Sequence, residues 1–373
     1  MKRLLGIVLV IALGVAPAAR AASPEVVATG LDSPRHLAFG IGGSLYVAEA
    51  GRGGSGPCFT GGEGPACMGA SGAVTKIDRH GEQSRIAEGL ASYANTPNND
   101  NAIGPHGIAV IVNQVFVTNG GPTEPKDAAG APISRDTLAE QNPVADLFGR
   151  VLWIRRHGAP RPIADLYAFE RDVNPDKTVG NPAVDTNPVD ILFDGLKLVI
   201  ADAGGNAIHV VRPFEGISNL ALFPNRLVDN PFGGPQIPMQ AVPTSVAKGP
   251  DRHYYVSQLT GFPFPQGAAN VYKVDRRTGD VTEAATGFTN IMDLAFGPDG
   301  TLYVLEIDHD GILAPGTDGA IFAISPDGER RRIELDAGAL PMPGGIAVRR
   351  GALYVSTNSG SPGGGQVVRI PLG

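Results

Sequence analysis

The run Asn290-Ile-Met-Asp-Leu-Ala-Phe-Gly-Pro-Asp-Gly-Thr-Leu-Tyr-Val-Leu-Glu306 decides the fold. An apolar stretch opens on Ile291, Pro-Asp-Gly makes a turn at 298–300, and a β-rich run ends on a polar residue. That order reads as two antiparallel strands joined by a tight turn. The pattern recurs six times. The other openings are Pro34-Arg-His-Leu37, Pro105-His-Gly-Ile108, Pro188-Val-Asp-Ile191, Pro243-Thr-Ser-Val246 and Pro343-Gly-Gly-Ile346. The matching closing runs are Leu45-Tyr-Val-Ala-Glu49, Val115-Phe-Val-Thr-Asn119, Leu198-Val-Ile-Ala-Asp202, Tyr254-Tyr-Val-Ser-Gln258 and Leu353-Tyr-Val-Ser-Thr357. A further strand-like run follows each, as in Ala73-Val-Thr-Lys-Ile77, Asn270-Val-Tyr-Lys-Val274 and Ala320-Ile-Phe-Ala-Ile324. Successive openings lie 71, 83, 55, 48 and 52 residues apart. Units of four strands with a period of about 40 to 50 residues mark propeller blades.

The expectation is therefore all-β: residues 22–373 form a single six-bladed β-propeller with four-stranded blades. The last copy stops after three strands, at Ile370. Pro24-Glu-Val-Val-Ala-Thr29, ahead of the first opening, is placed to supply the missing outer strand and close the ring. The first two spacings carry inserts at roughly 50–72, 91–104, 119–147 and 170–187, and loops of such length are commonly functional.

Composition agrees. With 51 Gly and 32 Pro in 373 residues, a helical bundle is excluded. A hydrophobic share of 42% supports a sizeable core, and a net charge of −7 argues against nucleic acid as a partner. Lys2 and Arg3, the apolar stretch Leu4 to Val15 and Ala19-Arg20-Ala21 make the three parts of a signal peptide over residues 1–21. The apolar stretch is too short to span a bilayer about 30 Å thick. The chain is expected to be secreted or periplasmic, with no transmembrane segment after cleavage. In such a compartment Cys58 and Cys67, nine apart in a Gly-rich stretch, are expected to close a disulfide.

Several stretches resemble the ScyD/ScyE family. They are Ala48-Glu-Ala-Gly-Arg-Gly-Gly-Ser-Gly-Pro-Cys58, Gly72-Ala-Val-Thr75, Asn187-Pro-Val-Asp190 and Ala201-Asp-Ala-Gly-Gly-Asn206. The most specific are Val242-Pro-Thr-Ser245, Ser257-Gln-Leu-Thr-Gly-Phe-Pro-Phe-Pro-Gln-Gly-Ala268 and Gly287-Phe-Thr-Asn-Ile-Met-Asp293. The resemblance implies an exported six-bladed propeller related to NHL-repeat proteins, in a family named after a pigment pathway to which most relatives do not belong. It implies no particular reaction.

Aligning the repeats gives two sets of positions. His36, Gly107, Asp190, Ser245, Asp293 and Gly345 should ring the channel mouth, because the first strand of a blade lines the channel. Glu49, Asn119, Asp202, Gln258, Glu306 and Thr357 should lie a layer outward. Glu49, Asp190, Asp202, Asp293 and Glu306 are carboxylates whose mutual repulsion a divalent cation such as Ca²⁺ would relieve; His36 and His106 are the histidines placed to join them. The alternative is that these groups cap strand ends, and that Asp190 and Asp293 each anchor a neighbouring blade. Phe262 and Phe264, set in a Pro-rich loop, are expected to wall a pocket or an interface, or else to pack inward as a lid. Gly51-x-Gly53-x-x-Gly56 imitates a dinucleotide fingerprint, but Pro57 and Gly61-Gly62 cannot open the helix it requires. Two functions stay open: a module that binds a small molecule or an extracytoplasmic protein at the channel mouth, and a metal-dependent enzyme, lactonase-like or oxidative, that uses the carboxylates.

Overall fold

A computed structural model describes residues 23–122, 125–155, 158–316 and 318–372. The signal-peptide reading of residues 1–21 lies outside them. The described residues are nearly all β, and the repeated pattern becomes six antiparallel sheets of four or more strands, beside a two-stranded ribbon of Arg226–Val228 and Ile237–Met239. The first sheet opens on Pro34–Phe39 and Leu45–Glu49 and continues into Gly64–Ile77 and Gln83–Asn95. The second holds Pro105–Ile111, Gln114–Asn119, Arg150–Ile154 and Arg161–Asp165. The third holds Pro188–Asp194, Lys197–Asp202, Ala207–Arg212 and Gly216–Leu222; the fourth, Pro243–Lys248, Tyr254–Gln258, Ala269–Val274 and Val281–Phe288. The fifth runs Ile291–Phe296, Leu302–Glu306, Ala320–Ile324 and Arg330–Arg332. The sixth runs Gly345–Arg349, Ala352–Thr357 and Gly365–Pro371, and its outer strand is Glu25–Leu31 from the other end of the chain. Val26 sits opposite Val368 and Thr29 opposite Gln366, so the strand expected from Pro24 to Thr29 pairs where the sixth copy runs out.

Each sheet presents an apolar face to the next. Tyr46 and Val74 of the first pack with Val117 and Leu152 of the second. Val199 and Ile208 of the third pack with Tyr254 and Val256 of the fourth, and Leu305 and Ile321 of the fifth with Leu353 and Val355 of the sixth. Leu31 and Val367 of the sixth reach Leu37 and Val47 of the first. Each fully buried side chain of this size contributes about 1.5–3 kcal/mol by leaving water. The first strands also touch in chain order, and the strand from Gly345 touches the one from Pro34.

A meander of this kind places every second-to-third and fourth-to-first connection at one end of the sheets, where the first strands begin. The long inserts all emerge there. They hold more regular structure than the sequence pattern predicts. The stretch 50–72 is not a plain loop: Cys58–Gly61 pairs with the start of the 14-residue strand Gly64–Ile77, with Cys58 opposite Cys67. The inserts 119–147 and 170–187 contain helical turns, Arg135–Gln141 and Pro143–Leu147 in the first, the end of Leu166–Val173 and Pro175–Val179 in the second. Ser134, Asn142, Asp165 and Asn174 cap them, each side-chain oxygen accepting from a backbone N–H of the first turn.

Candidate functional site

The third residue of each opening carries the hub. His36, Asp190 and Asp293, from the first, third and fifth sheets, converge. One ligand atom from each lies within 4.8 Å of the other two, and none of the three residues is more than 7% exposed. The intervening sheets contribute small residues at the same position. A Cβ on Gly107 would stand 2.5 Å from Cα of Asp190, and one on Gly345 2.7 Å from Cα of His36, so neither position admits a side chain. Ser245 donates its hydroxyl to Asp293 Oδ1 at 2.6 Å. Large and small alternate, and that alternation lets three polar side chains share one buried point.

The carboxylates are not bare. Asp190 accepts from Ile191 N at 2.7 Å and from Val246 N of the next sheet at 2.8 Å. Asp293 accepts from Leu294 N at 2.7 Å and from Ile346 N of the next sheet at 2.7 Å. Each ties its own sheet to the one that follows. His36 stands where a third carboxylate would have crowded the other two; its Nε2 is 3.6 Å from Asp293 Oδ1. Neither of its ring nitrogens makes a well-formed hydrogen bond. Burial alone would lower the His36 pKa, but Asp293 and Asp190, with the field of the Met292 carbonyl, outweigh it and hold the ring above its ordinary value. Burial pushes the Asp293 carboxyl up to about 6, against the pull of His36. His106 is buried too. Burial, then Arg35 and His36, keep its pKa well below the ordinary range, so it is neutral. Arg35 extends from the same strand as His36 and donates to Ala102 O at 2.5 Å.

The outer set does not join this cluster. Glu49 accepts from Asp32 N at 2.7 Å and from Arg85 Nη2 at 2.8 Å. Asp202 accepts from Asn187 N at 2.8 Å, Gly205 N at 3.0 Å and the Thr186 hydroxyl. Glu306 accepts from Thr289 N at 2.7 Å and pairs with His309 Nδ1 at 2.6 Å. Each binds the segment that leads into its own sheet. Phe262 is 46% exposed and stacks on the exposed Phe232 at 6.2 Å, with Phe264 edge-on to it at 6.4 Å.

A second arrangement was not legible from the repeats. The inserts of the second and third sheets enclose a cavity of about 390 Å³, lined by Lys126, Ile133, Arg135, Phe148, Tyr167 and Val184 among others. Arg135 is locked by Asp165 at 2.6 and 3.0 Å and lies over the Tyr167 ring at 4.4 Å. The Cys58–Cys67 disulfide holds a hairpin whose Thr60 exchanges two backbone hydrogen bonds with Lys126, both 2.9 Å. Phe59, Met68, Leu138 and Phe148 form a separate small core beside it. The disulfide thus anchors one wall of the cavity. Neither Phe262 nor Phe264 lines it.

Architecture and site together define a β-propeller fold. The chain superposes on the PQQ-bound aldose sugar dehydrogenase of Streptomyces coelicolor with a TM-score of 0.52 at 13% identity, over 95% of this chain and 99% of that one. A streptogramin B lyase matches with a TM-score of 0.51 at 11% identity, over 94% and 97%. A catalytically inactive virginiamycin B lyase from Staphylococcus aureus, determined with quinupristin, matches with a TM-score of 0.50 at 11% identity, over 94% and 98%. At such identities the likeness shows the fold alone. No protein-family model and no curated protein matches the sequence.

Proposed function

We propose that this chain is an exported, six-bladed, ring-closed propeller that acts as a binding module for a small molecule at its insert-bearing end. The observation that carries the binding role is the walled cavity of about 390 Å³, a size suited to a small ligand, with an apolar floor from Phe148, Ile133 and Val184 and polar groups from Lys126 and Ser134. The six sheets with a core at each successive contact support the blade count and closure. Export rests on the sequence of residues 1–21. The disulfide is compatible with it, and among the described residues no helix is long and apolar enough to cross a membrane. Membership of the ScyD/ScyE family rests on the quoted motifs.

The metal-enzyme reading is less well supported. His36, Asp190 and Asp293 have spacing for a cation, but a substrate would have to reach groups no more than 7% exposed, and backbone N–H groups already engage both carboxylates. Elemental analysis of the purified protein addresses it directly. The binding reading is tested with a thermal-shift screen of amphipathic small molecules on the wild type and on Val184→Trp, which fills the cavity. Ligands that stabilise the wild type and not the variant are expected. Ligands that stabilise both equally would place binding elsewhere.

A further inference from the structure

The insert that walls the cavity hides a second group of acids, two of which, Glu170 and Asp176, lie outside the repeat pattern. Glu170 projects from the helix Leu166–Val173, Asp176 from the turn Pro175–Val179, and Asp202 from the end of a strand in the third sheet. Glu170 and Asp176 are each 1% exposed. Neither carboxylate oxygen of Glu170 accepts from an N–H or a hydroxyl of the chain, and the one polar partner of this carboxyl is another acid, Asp176. A buried carboxylate without a donor or counter-ion is costly, and groups of this kind are paired or coordinate metals. Gly205 opens the space between the acids: the position its Cβ would take lies 3.6 Å from Glu170 Oε2 and 3.6 Å from Asp202 Oδ2. Asn206 steadies the far side by donating to Asp176 Oδ2 at 3.3 Å. Burial first, then the charges of Asp202, Asp176 and Asp185, raise the Glu170 carboxyl to about 9.

We infer that this hollow is a binding site for a divalent cation of the calcium class, with Glu170, Asp176 and Asp202 as its oxygen donors. All-oxygen donors favour a hard cation over a transition metal. These oxygens are spread more widely than those of the hub; calcium accepts six to eight ligands at flexible geometry and completes its shell with water. The cation would fasten the insert to the third sheet and so set the cavity wall that carries Tyr167 and Val184. The inference does not depend on what the cavity binds.

The test is calorimetric titration of the metal-stripped full chain with CaCl₂, alongside limited trypsin digestion at Arg171 and Lys177, both exposed on the insert. The wild type is expected to bind one calcium per chain, to be cleaved at least about tenfold more slowly with calcium, and to melt about 4 °C higher when calcium is about 100-fold above its dissociation constant. Glu170→Gln and Asp176→Asn are each expected to weaken binding at least tenfold and to abolish the calcium-dependent protection. Near-ultraviolet circular dichroism verifies that each variant is folded, and a variant that fails this is replaced by Glu170→Ala. Absence of calcium binding by the wild type at millimolar calcium overturns the inference. So does wild-type affinity in Glu170→Gln, or calcium binding lost on Asp293→Asn but kept in Glu170→Gln.

Discussion

The hub and the insert hollow both bury carboxylates almost completely, yet they treat them in opposite ways. At the hub, the oxygens of Asp190 and Asp293 meet N–H groups of two sheets, the Ser245 hydroxyl and the His36 ring. In the hollow, Glu170 meets no N–H or hydroxyl of the chain and faces another acid, Asp176. The difference teaches where to look for a ligand. Acids that the chain itself satisfies hold the fold together; acids that it buries and leaves without donors await something from outside.

The largest expected effect would break the first half of this contrast. Asp293→Ala strips the acceptor from Leu294 N, Ile346 N and the Ser245 hydroxyl and leaves His36 without its carboxylate. It should cost about 3–5 kcal/mol in denaturant unfolding. Asp190→Ala removes the acceptor for Ile191 N and the tie to Val246 N, and about 2 kcal/mol is expected. Should both variants unfold like the wild type, the hub is not the clasp described above. Reduction of the Cys58–Cys67 disulfide should cost about 2–3 kcal/mol locally, because the loop it closes is short. It should be read as faster proteolysis at Lys126, with the sheets intact.

Acid–base behaviour sharpens the hub half. His36 has a folded pKa above its unfolded value. Its contribution is therefore fully present below about pH 6.5 and is lost as pH rises through the higher folded value. Asp293, raised to about 6 from an unfolded value of 3.8, acts in the same direction: the folded state binds the extra proton, and stability falls between about pH 4 and 6. Hub-linked stability should decline as pH rises from 4 to 8, and His36→Gln should flatten the upper part of that decline in pH-dependent unfolding curves. The smallest effect is diagnostic by its sign. Without calcium, Glu170→Gln should melt at or slightly above the wild type, because it replaces an acid whose charged form burial and its acidic neighbours already disfavour; with calcium it should melt below.

Much of the fold was legible because its signal repeats. Pro-x-x-aliphatic openings and Tyr-Val closings recur, so aligning them placed His36, Asp190 and Asp293 at one register, and their convergence follows from the first strands lying side by side. The same alignment gave the blocking residues, since Gly107, Ser245 and Gly345 are the small members of that register. It grouped Glu49, Asp202 and Glu306 with them, but one strand outward is far enough for each to turn to its own loop. Glu170, Asp176, Arg135 and Lys126 were illegible for the converse reason: they sit in inserts that occur once, so no second copy marks them. A local signal did exist in the capping residues Ser134 and Asp165, each three residues ahead of the backbone N–H it accepts from, and in Pro175 at the start of a turn. Those predict short helices, although not what the helices bury.

Hydrogen–deuterium exchange of the full chain, with and without calcium, tests the contrast most directly. Calcium should slow exchange across Leu166–Val173 and residues 174–187 and leave Pro34–Phe39 and Ile291–Phe296 unchanged. Calcium-dependent protection confined to those two hub strands, or found nowhere in the chain, would contradict the account.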